Sequence, residues 1–423
     1  MNRLYCTSSP KRAVSARKAG FLPVLLYTTG TPELAGIGHP IINECRELHR
    51  QPSRTAWDFL SLSLGVIAAD SFVKRADAAD GWTREIDLTV ELLDPSPWHK
   101  VSGEIEKTLR FLTGDLWHLT FEPNGPAIPG QKRMVWKDAG CDAVCLFSGG
   151  LDSFIGALDL TASGLKPYFV SCAYPKDAEK QAALATRLSL LGNRHFQANP
   201  DPRWAHENET SMRARSLLFL ALATLIASTL RLKPAEAPVP VFLPENGFIS
   251  LNVPLTARRL GSLSTRTTHP HFIGGIQSIL SKADLNIQIL NPYQLRTKGE
   301  MMRDCRDSNA LQKLAHITVS CGKWKRKSQQ CGRCLPCLIR RAAFDAAGLV
   351  DSTDYRFHEL SGADNQEDII AVRLAYNQML SAPGKWIRRT GPMPEENALR
   401  AEFADVFVRG LNEVGGFVTR ALP

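Results

Sequence analysis

Residues 143–158 read Ala143-Val-Cys-Leu-Phe-Ser-Gly-Gly-Leu-Asp-Ser-Phe-Ile-Gly-Ala-Leu158. The first part, Ala143 to Phe147, is short, apolar and partly β-branched, as is typical of a buried parallel strand. Apolar residues then recur at helical spacing from Phe154 to Leu160, and Gly164 is a suitable helix end. Between the two lies a segment that we call the glycine loop, Ser148 to Ser153. This order of residue types predicts a strand, a loop and a helix.

The glycine loop has the composition of an anion site. Gly149 and Gly150 allow backbone N–H groups to turn inward. Ser148 and Ser153 add hydroxyl donors, and the N-terminus of the following helix contributes partial positive charge. The loop is not a Walker A sequence, because the Lys-Ser/Thr pair is missing. The alternative to an anion site is a plain tight turn, in which adjacent glycines are also common.

The pattern Ser-Gly-Gly-x-Asp-Ser resembles the PP-loop of the ATP pyrophosphatases. This resemblance implies that ATP is bound and cleaved between its α and β phosphates, so that a carbonyl or carboxylate oxygen is adenylated and pyrophosphate leaves. The residues that it places around ATP are Ser148, Gly149, Gly150, Leu151, Asp152 and Ser153.

Length and composition set broad limits. A chain of 423 residues is too long for one ordinary core, so two or three domains are expected. The net charge of +9 fits polyanionic ligands such as ATP without indicating nucleic acid. The most apolar run, Leu217 to Leu230, contains Thr and Ser residues and predicts a buried helix rather than a membrane span. Ten cysteines without a signal-peptide pattern indicate a reducing cytoplasm.

Three regions are expected. Residues 1–140 predict an N-terminal α+β accessory domain, with a helix over Ala56 to Arg75. Residues 141–350 alternate strand and helix, which is typical of a doubly wound parallel α/β sheet with its ligand at the carboxyl ends of the strands. Residues 351–423 predict a helical C-terminal extension. The strands expected after the glycine loop are Tyr168 to Ala173, His195 to Ala198, Val239 to Leu243 and Ile287 to Leu290.

Four cysteines follow a C-x9-C-x2-C-x2-C spacing, namely Cys321, Cys331, Cys334 and Cys337. Four thiolates at such spacing predict a closed tetrahedral Zn²⁺ site on a short hairpin. Because sulfur fills every position, the metal would be structural rather than catalytic. Reduced thiols that happen to cluster, or an iron–sulfur cluster, are the alternatives.

The glycine loop and the four cysteines together resemble the 7-cyano-7-deazaguanine synthase (QueC) family over about residues 141–350. Further matches to this family are the helix start at Ala214 to Leu220, the segment Pro292 to Met301, and the helix that carries Arg340. The resemblance implies an adenine nucleotide alpha hydrolase-like fold. It also implies that Asp152 orients the loop or helps to hold Mg²⁺, and that Arg215 and Lys298 stabilise charge. Surface charges at helix starts are the alternative for Arg215 and Lys298.

The chain also departs from the family. The family's Tyr-Pro-Asp-Cys-Arg segment has no clear counterpart, and Glu245-Asn246-Gly247 followed by Arg258 and Arg259 stands in its place. Ser216 replaces a family asparagine. The extra N- and C-terminal regions are similar to those of the longer, QatC-like members of bacterial anti-phage defence systems. The resemblance to those proteins implies that a partner protein's amine can replace ammonia as the acceptor of the activated acid.

The resemblance implies an ATP-dependent C–N ligase. A deazaguanine carboxylate such as 7-carboxy-7-deazaguanine would be adenylated and passed to an amine, with AMP and pyrophosphate released. A PP-loop enzyme that modifies tRNA and a non-catalytic nucleotide-binding assembly subunit are the alternatives. Basic residues around the cysteines either contact RNA phosphates or form a solvated rim: Lys323, Lys325, Arg326, Lys327 and Arg333. His269 and His271 are expected to be ordinary polar loop residues rather than site residues.

Overall fold

Two parallel five-stranded sheets organise the protein in a computed structural model. The structure describes residues 2–131, 140–188, 194–232, 237–255, 266–361 and 367–422. Arg258 and Arg259 lie outside the described residues, and so do the side chains of Lys325 and Arg326.

The N-terminal sheet has the strand order β3-β2-β1-β4-β5, and every neighbouring pair is parallel. Its elements in chain order are β1 (Asn2–Thr7), α1 (Pro10–Lys18), β2 (Leu22–Thr28), β3 (Ala35–Gly38), α2 (His39–Arg46), α3 (Arg54–Phe72), β4 (Glu85–Glu91), α4 (Ser96–Thr113) and β5 (Leu116–Glu122). The expected α+β class is therefore wrong for this region, which is α/β. Alternating apolar residues mark a strand but do not fix the direction of its neighbour, and that direction separates the two classes.

The second sheet has the order β10-β9-β6-β7-β8 and is also parallel throughout. Its elements are β6 (Ala143–Leu146), α5 (Leu151–Ala162), β7 (Pro167–Cys172), α6 (Asp177–Arg187), β8 (His195–Ala198), α7 (Arg215–Ala227), β9 (Val239–Phe242), α8 (Gly247–Leu251), α9 (Pro270–Lys282) and β10 (Ile287–Leu290). The doubly wound parallel sheet predicted from the sequence is confirmed. The chain reverses its winding direction between β6 and β9, so the loop after β6 lies where such sheets bind ligands.

Helices follow the second sheet to the C-terminus. They are α10 (Lys298–Arg303), α11 (Ser308–Leu314), α12 (Trp324–Lys327), α13 (Leu335–Ala347), α14 (Glu367–Met379), α15 (Pro383–Ile387) and α16 (Asn397–Ala421). The last helix, α16, packs on α13, α14 and α15, and Phe403, Phe407 and Leu411 on it are buried in a shared apolar core. The predicted helical C-terminal region is confirmed.

The two sheets meet through an apolar core. The predicted buried helix is confirmed as α7, which packs against α3, and both helices are buried along most of their length. At the sheet edges, Gly36 and Arg203 exchange backbone hydrogen bonds of 2.9 and 2.8 Å. Within the parts of the chain that the structure describes, no helix combines the length and apolarity needed to cross a bilayer.

His269 ties α9 to the C-terminal region and predicts acid sensitivity. Its Nδ1 accepts the His271 backbone N–H at 3.2 Å, so the ring proton lies on Nε2, which donates to the Thr390 hydroxyl at 2.8 Å. Burial, reinforced by the nearby charges of Arg266 and His271, lowers the pKa of His269 from 6.5 to about 3. Between pH 6.5 and about pH 3, His269 therefore binds a proton in the unfolded chain but stays neutral in the folded protein.

We expect the free energy of unfolding to fall by about 1.4 kcal/mol per pH unit between about pH 6 and pH 3 through His269 alone. Urea midpoints measured across this range should fall less steeply for His269→Asn. His118→Asn is the matched control, because the His118 side chain is 56% exposed. Equal slopes for the native protein and His269→Asn would contradict this expectation.

Candidate functional site

The glycine loop joins the end of β6 to the start of α5. Gly149 has φ +82°, a left-handed conformation that favours glycine. The hydroxyls of Ser148 and Ser153 lie 3.1 Å apart, and the Gly150 N–H donates to Ser148 Oγ at 3.3 Å. Leu151 is buried, so only its backbone could meet a ligand. Two hydroxyls and a helix N-terminus thus face the same place, as the anion-site prediction requires.

Neighbouring segments hold the loop backbone. The side-chain amide of Gln181 donates to Ser148 O at 3.2 Å, and the N–H of Val319 donates to Gly149 O at 3.1 Å. A Cβ on Gly149 would lie 3.2 Å from Gln181 Cγ. The loop is therefore fixed from the α6 side by Gln181 and from the cysteine-rich side by Val319.

Asp152 is brought to Lys298 in a buried ion pair. The Lys298 Nζ lies 2.6 Å from Asp152 Oδ1, and both side chains are 6% exposed. Asn246 donates to Asp152 Oδ2 from its side chain at 2.6 Å and from its backbone at 3.2 Å. Burial alone would raise the pKa of Asp152, but the charge of Lys298 and these hydrogen bonds hold it below its usual range. Lys298 is therefore not a solvated surface charge, and the geometry favours a loop-orienting role for Asp152.

The C-terminal helix α16 supports the position of Lys298. Thr297 and Glu300 form a capping box around the start of α10, where Lys298 is the first residue. Glu413 on α16 accepts the Thr297 hydroxyl and the Gly299 N–H, the latter at 3.3 Å. The C-terminal region thus contributes to the geometry beside the glycine loop.

Glu245 is a site residue that the sequence did not assign. It follows β9, lines the same cavity as Ser148 and shares a hydrogen bond with Asp152. Burial, and then the negative charge of Asp152, raises the pKa of Glu245 well above its usual range. This shift favours the protonated form of Glu245, in which its carboxyl can donate to Asp152. No local pattern marks it, since its pairing with Asp152 depends on the alignment of β6 and β9.

A cavity of about 320 Å³ opens beside the loop hydroxyls. This is within the usual range for small-molecule sites, about 300–1,000 Å³. Apolar side chains form one part of its wall, among them Met212, Phe219 and Leu243. Its polar lining comprises Ser148, Ser153, Asp177, Gln181, Arg215, Ser216, Glu245, Thr267 and Thr268. The cavity thus combines an apolar wall with a few convergent polar groups.

Arg215 is the cationic group in this lining. Its guanidinium lies over the Tyr174 ring at 4.2 Å and donates to Asp177 at 3.3 Å, while its side chain stays 40% exposed. The neighbouring Ser216 Oγ is buried and has no hydrogen-bond partner among the residues described. A buried hydroxyl of this kind is costly unless a ligand or water satisfies it. Both residues therefore offer donors to a molecule in the cavity.

The four predicted cysteine ligands come together. Their sulfurs all lie within 4.8 Å of one another, with Cys331–Cys337 at 3.9 Å and Cys321–Cys334 at 3.7 Å. A tetrahedral Zn²⁺ with Zn–S bonds of about 2.3 Å requires sulfurs about 3.8 Å apart. Backbone N–H groups of residues 323, 331 and 334 donate to Cys321 and Cys331 sulfurs at 3.2–3.4 Å. The donor set fits a structural zinc ion.

The comparisons with known proteins agree with these features. Residues 267–348 match the family model described as "Queuosine biosynthesis protein QueC". The chain is 25% identical over 243 residues to a 7-cyano-7-deazaguanine synthase of Methanothrix thermoacetophila, covering 51% of this chain and 98% of the relative. It is 27% identical over 236 residues to that of Cupriavidus necator, with 51% and 97% covered. It is 27% identical over 244 residues to that of Nitrosomonas europaea, with 52% and 99% covered. Over about half of its length the chain is therefore similar to 7-cyano-7-deazaguanine synthases, and residues 267–348 match the QueC family model.

Arg340 lies within the matched range on α13, the helix that also carries Cys337, and its contacts show a structural role. Arg340 is fully buried and donates to Thr318 Oγ1 at 2.7 Å, to Ala315 O at 2.6 Å and to Thr353 Oγ1 at 3.1 Å. The residue after Thr318 is Val319, which bonds the glycine loop. Arg340 therefore stabilises the segment between the cysteine cluster and the loop.

Other polar residues that the sequence drew attention to have structural roles. His269 caps α9 and His271 lies in its first turn, so neither is the loop residue that the sequence predicted. Arg333 is 6% exposed and donates to Glu359 O at 3.0 Å, so it does not belong to a free basic rim. The six cysteines outside the cluster are buried.

Proposed function

We propose that this protein is an ATP-dependent, AMP-forming C–N ligase that adenylates a deazaguanine carboxylate, such as 7-carboxy-7-deazaguanine, and transfers the acyl group to an amine. One observation carries the proposal: the two loop hydroxyls, Ser148 and Ser153, open into the same cavity as Arg215. Phosphate donors, a cation and an apolar wall for a planar ring thus meet in one place. The QueC-like relatives supply the substrate class.

The reaction depends more on the stabilisation of charge than on covalent catalysis by side chains. A substrate carboxylate oxygen attacks the α-phosphorus, the bond to the bridging oxygen of pyrophosphate breaks, and an acyl-adenylate forms. An amine then attacks the acyl carbon and AMP leaves. Ser148, Ser153 and the N–H groups of the loop bind the departing phosphates, while Arg215 offsets the negative charge that develops. Asp152 is assigned to loop orientation, with Lys298 as its counter-ion.

The proposed function involves two metal ions, one bound with ATP and one held by the four cysteines. Mg²⁺ would arrive with ATP and neutralise pyrophosphate. Glu245 is an acidic group of the cavity lining that could approach it once ionised. Zn²⁺ would be held by Cys321, Cys331, Cys334 and Cys337 and would brace the segment that bonds the glycine loop, without entering the reaction.

We further propose that the protein acts in the cytoplasm as part of a bacterial anti-phage defence system, with a partner protein's amine as the acceptor. The support is that the relatives match only about half of this chain, which also carries the N-terminal sheet and the C-terminal helices. Both regions reach the candidate site, through the α3–α7 contact and through Glu413. Ammonia is the simpler acceptor to be tested beside a protein amine.

The decisive experiment is pyrophosphate exchange into ATP, which reports adenylation and needs no acceptor. We expect exchange that depends on 7-carboxy-7-deazaguanine, reduced about 10²- to 10³-fold in Arg215→Ala because a developing charge loses its partner. Lys282→Met is the matched control, since it removes a cation from a surface pair with Glu104 far from the loop in sequence. Mass spectrometry of co-expressed partner proteins would then detect a deazaguanine-sized adduct.

The alternatives give different outcomes in the same assay. Exchange that depends on tRNA instead of the free acid would indicate a tRNA-modifying enzyme. Tight ATP binding with no exchange under either condition would indicate an assembly subunit. Either result would refute the proposed ligase.

A further inference from the structure

The N-terminal unit, residues 2–131, repeats the architecture of the unit that carries the glycine loop. Numbered within each sheet, the strand order is third, second, first, fourth, fifth in both. The helices that pack between the units occupy equivalent places. α3 and α7 both precede the fourth strand, and α4 and α9 both precede the fifth. The two units therefore share one strand order, and they contact each other through equivalent helices.

One carboxylate of the N-terminal unit accepts hydrogen bonds from the other unit. Asp70 lies near the end of α3 and is fully buried. Its Oδ2 accepts the backbone N–H groups of Arg213 at 2.7 Å and Ala214 at 2.9 Å. These two residues directly precede α7, whose first residue is Arg215. No side chain of the α7 start itself caps the helix, so the acceptor comes from the N-terminal unit.

The other oxygen of Asp70 is held within its own unit. Arg84 donates to Asp70 Oδ1 at 2.7 Å and to Asp115 Oδ2 at 2.6 Å. Arg75 donates to both oxygens of Asp115, at 2.8 and 3.0 Å. All four of these side chains are at most 4% exposed. A paired and buried network of this kind is rigid, and Asp70 has no freedom to turn away from α7.

We propose that Asp70 is a positioning residue for Arg215: the N-terminal unit fixes the backbone on which α7 begins and so directs the guanidinium into the cavity. The inference deepens the proposed function, on which it rests, because Arg215 is the cation assigned to the phosphates. A misplacement of about 1 Å at such a group is enough to cost about a hundredfold in rate. The N-terminal unit is therefore part of the site rather than an accessory.

A double-mutant cycle on the full-length protein tests this. ATP dissociation constants are measured by calorimetry for the native protein, Asp70→Asn, Arg215→Ala and the double variant. We expect Asp70→Asn to weaken ATP binding about tenfold and Arg215→Ala about ten- to a hundredfold. If Asp70 acts through Arg215, the double variant will bind ATP as Arg215→Ala does. An additional tenfold loss in the double variant would overturn the proposal.

The matched control is Asp115→Asn. Asp115 is as buried as Asp70 and shares its partner Arg84, whereas the backbone N–H groups of Arg213 and Ala214 donate to Asp70. We expect this variant to lose stability and to keep its ATP affinity. An equal loss of ATP affinity would mean general loosening of the N-terminal unit and would overturn the positioning role.

Hydrogen exchange covers the case in which Asp70→Asn fails to fold. The Arg213 and Ala214 amides should stay protected in Asp115→Asn, together with ATP binding. If the Arg213 and Ala214 amides exchange freely in Asp115→Asn while its ATP affinity stays unchanged, the proposal is overturned. Failure of the native protein to bind ATP at all would instead refute the proposed function, and the positioning role with it.

Discussion

Lys298→Met is expected to lower the free energy of unfolding by about 3–5 kcal/mol and to abolish pyrophosphate exchange. The substitution keeps much of the side-chain volume but leaves the buried Asp152 carboxylate without its cation, which lies 2.6 Å away in the native protein. Glu245 shares a hydrogen bond with the same carboxylate but supplies no positive charge to replace Lys298. Urea midpoints at pH 7 measure the loss.

Two further variants make the cause specific. Lys282→Met breaks an exposed pair with Glu104 and should change stability by no more than about 1 kcal/mol. The double variant Lys298→Met with Asp152→Asn removes both charges and should recover a large part of the loss. If the double variant is as unstable as Lys298→Met, the cost arises from packing rather than from the buried charge.

Cys337→Ser is expected to release the zinc ion and to weaken ATP binding in the same protein. Structural zinc sites contribute about 10–16 kcal/mol of apparent binding free energy in small zinc-finger peptides, and Cys337 is fully buried. The effect should reach the nucleotide because Val319, two residues before Cys321, bonds Gly149 O at 3.1 Å. Metal analysis and ATP titration of the same sample measure the two losses.

Cys305→Ala is the control for Cys337→Ser. Cys305 is also buried, but it lies outside the cysteine cluster. We expect it to keep one equivalent of zinc and its ATP affinity. Retained zinc in Cys337→Ser, or iron in place of zinc in the native protein, would contradict the assignment of the site.

The sequence was most informative where a structure is built from neighbouring residues. The glycine loop and the cysteine cluster were both predicted correctly in their local form, because each depends on spacing within about 20 residues. Two predicted strands, His195–Ala198 and Ile287–Leu290, have the same bounds in the structure. The boundaries at 140/141 and 350/351 stay predictions, as does the assignment of Arg215 to the phosphates.

The direction of the strands in the N-terminal sheet could not be predicted in this way. The alternation in Glu85–Glu91 is typical of a strand in either a parallel or an antiparallel sheet. Parallel neighbours must be joined by long crossover connections, which here include α3 and α4. The position of these two helices depends on their packing against α7 and α9, which are distant in sequence. The prediction of an α+β class was therefore wrong for a reason that lies outside the segment itself.

From the sequence alone one could predict a glycine loop on a parallel sheet and four cysteines at metal-site spacing. Only the tertiary structure decided which charges meet that loop. Asp152 is joined to Lys298 and Glu245, and Asp70 to the start of α7, across separations of about 90 to 150 residues. Local composition fixes backbone conformation over a few residues, whereas these pairs form only because folding buries each carboxylate against partners that compensate its lost hydration.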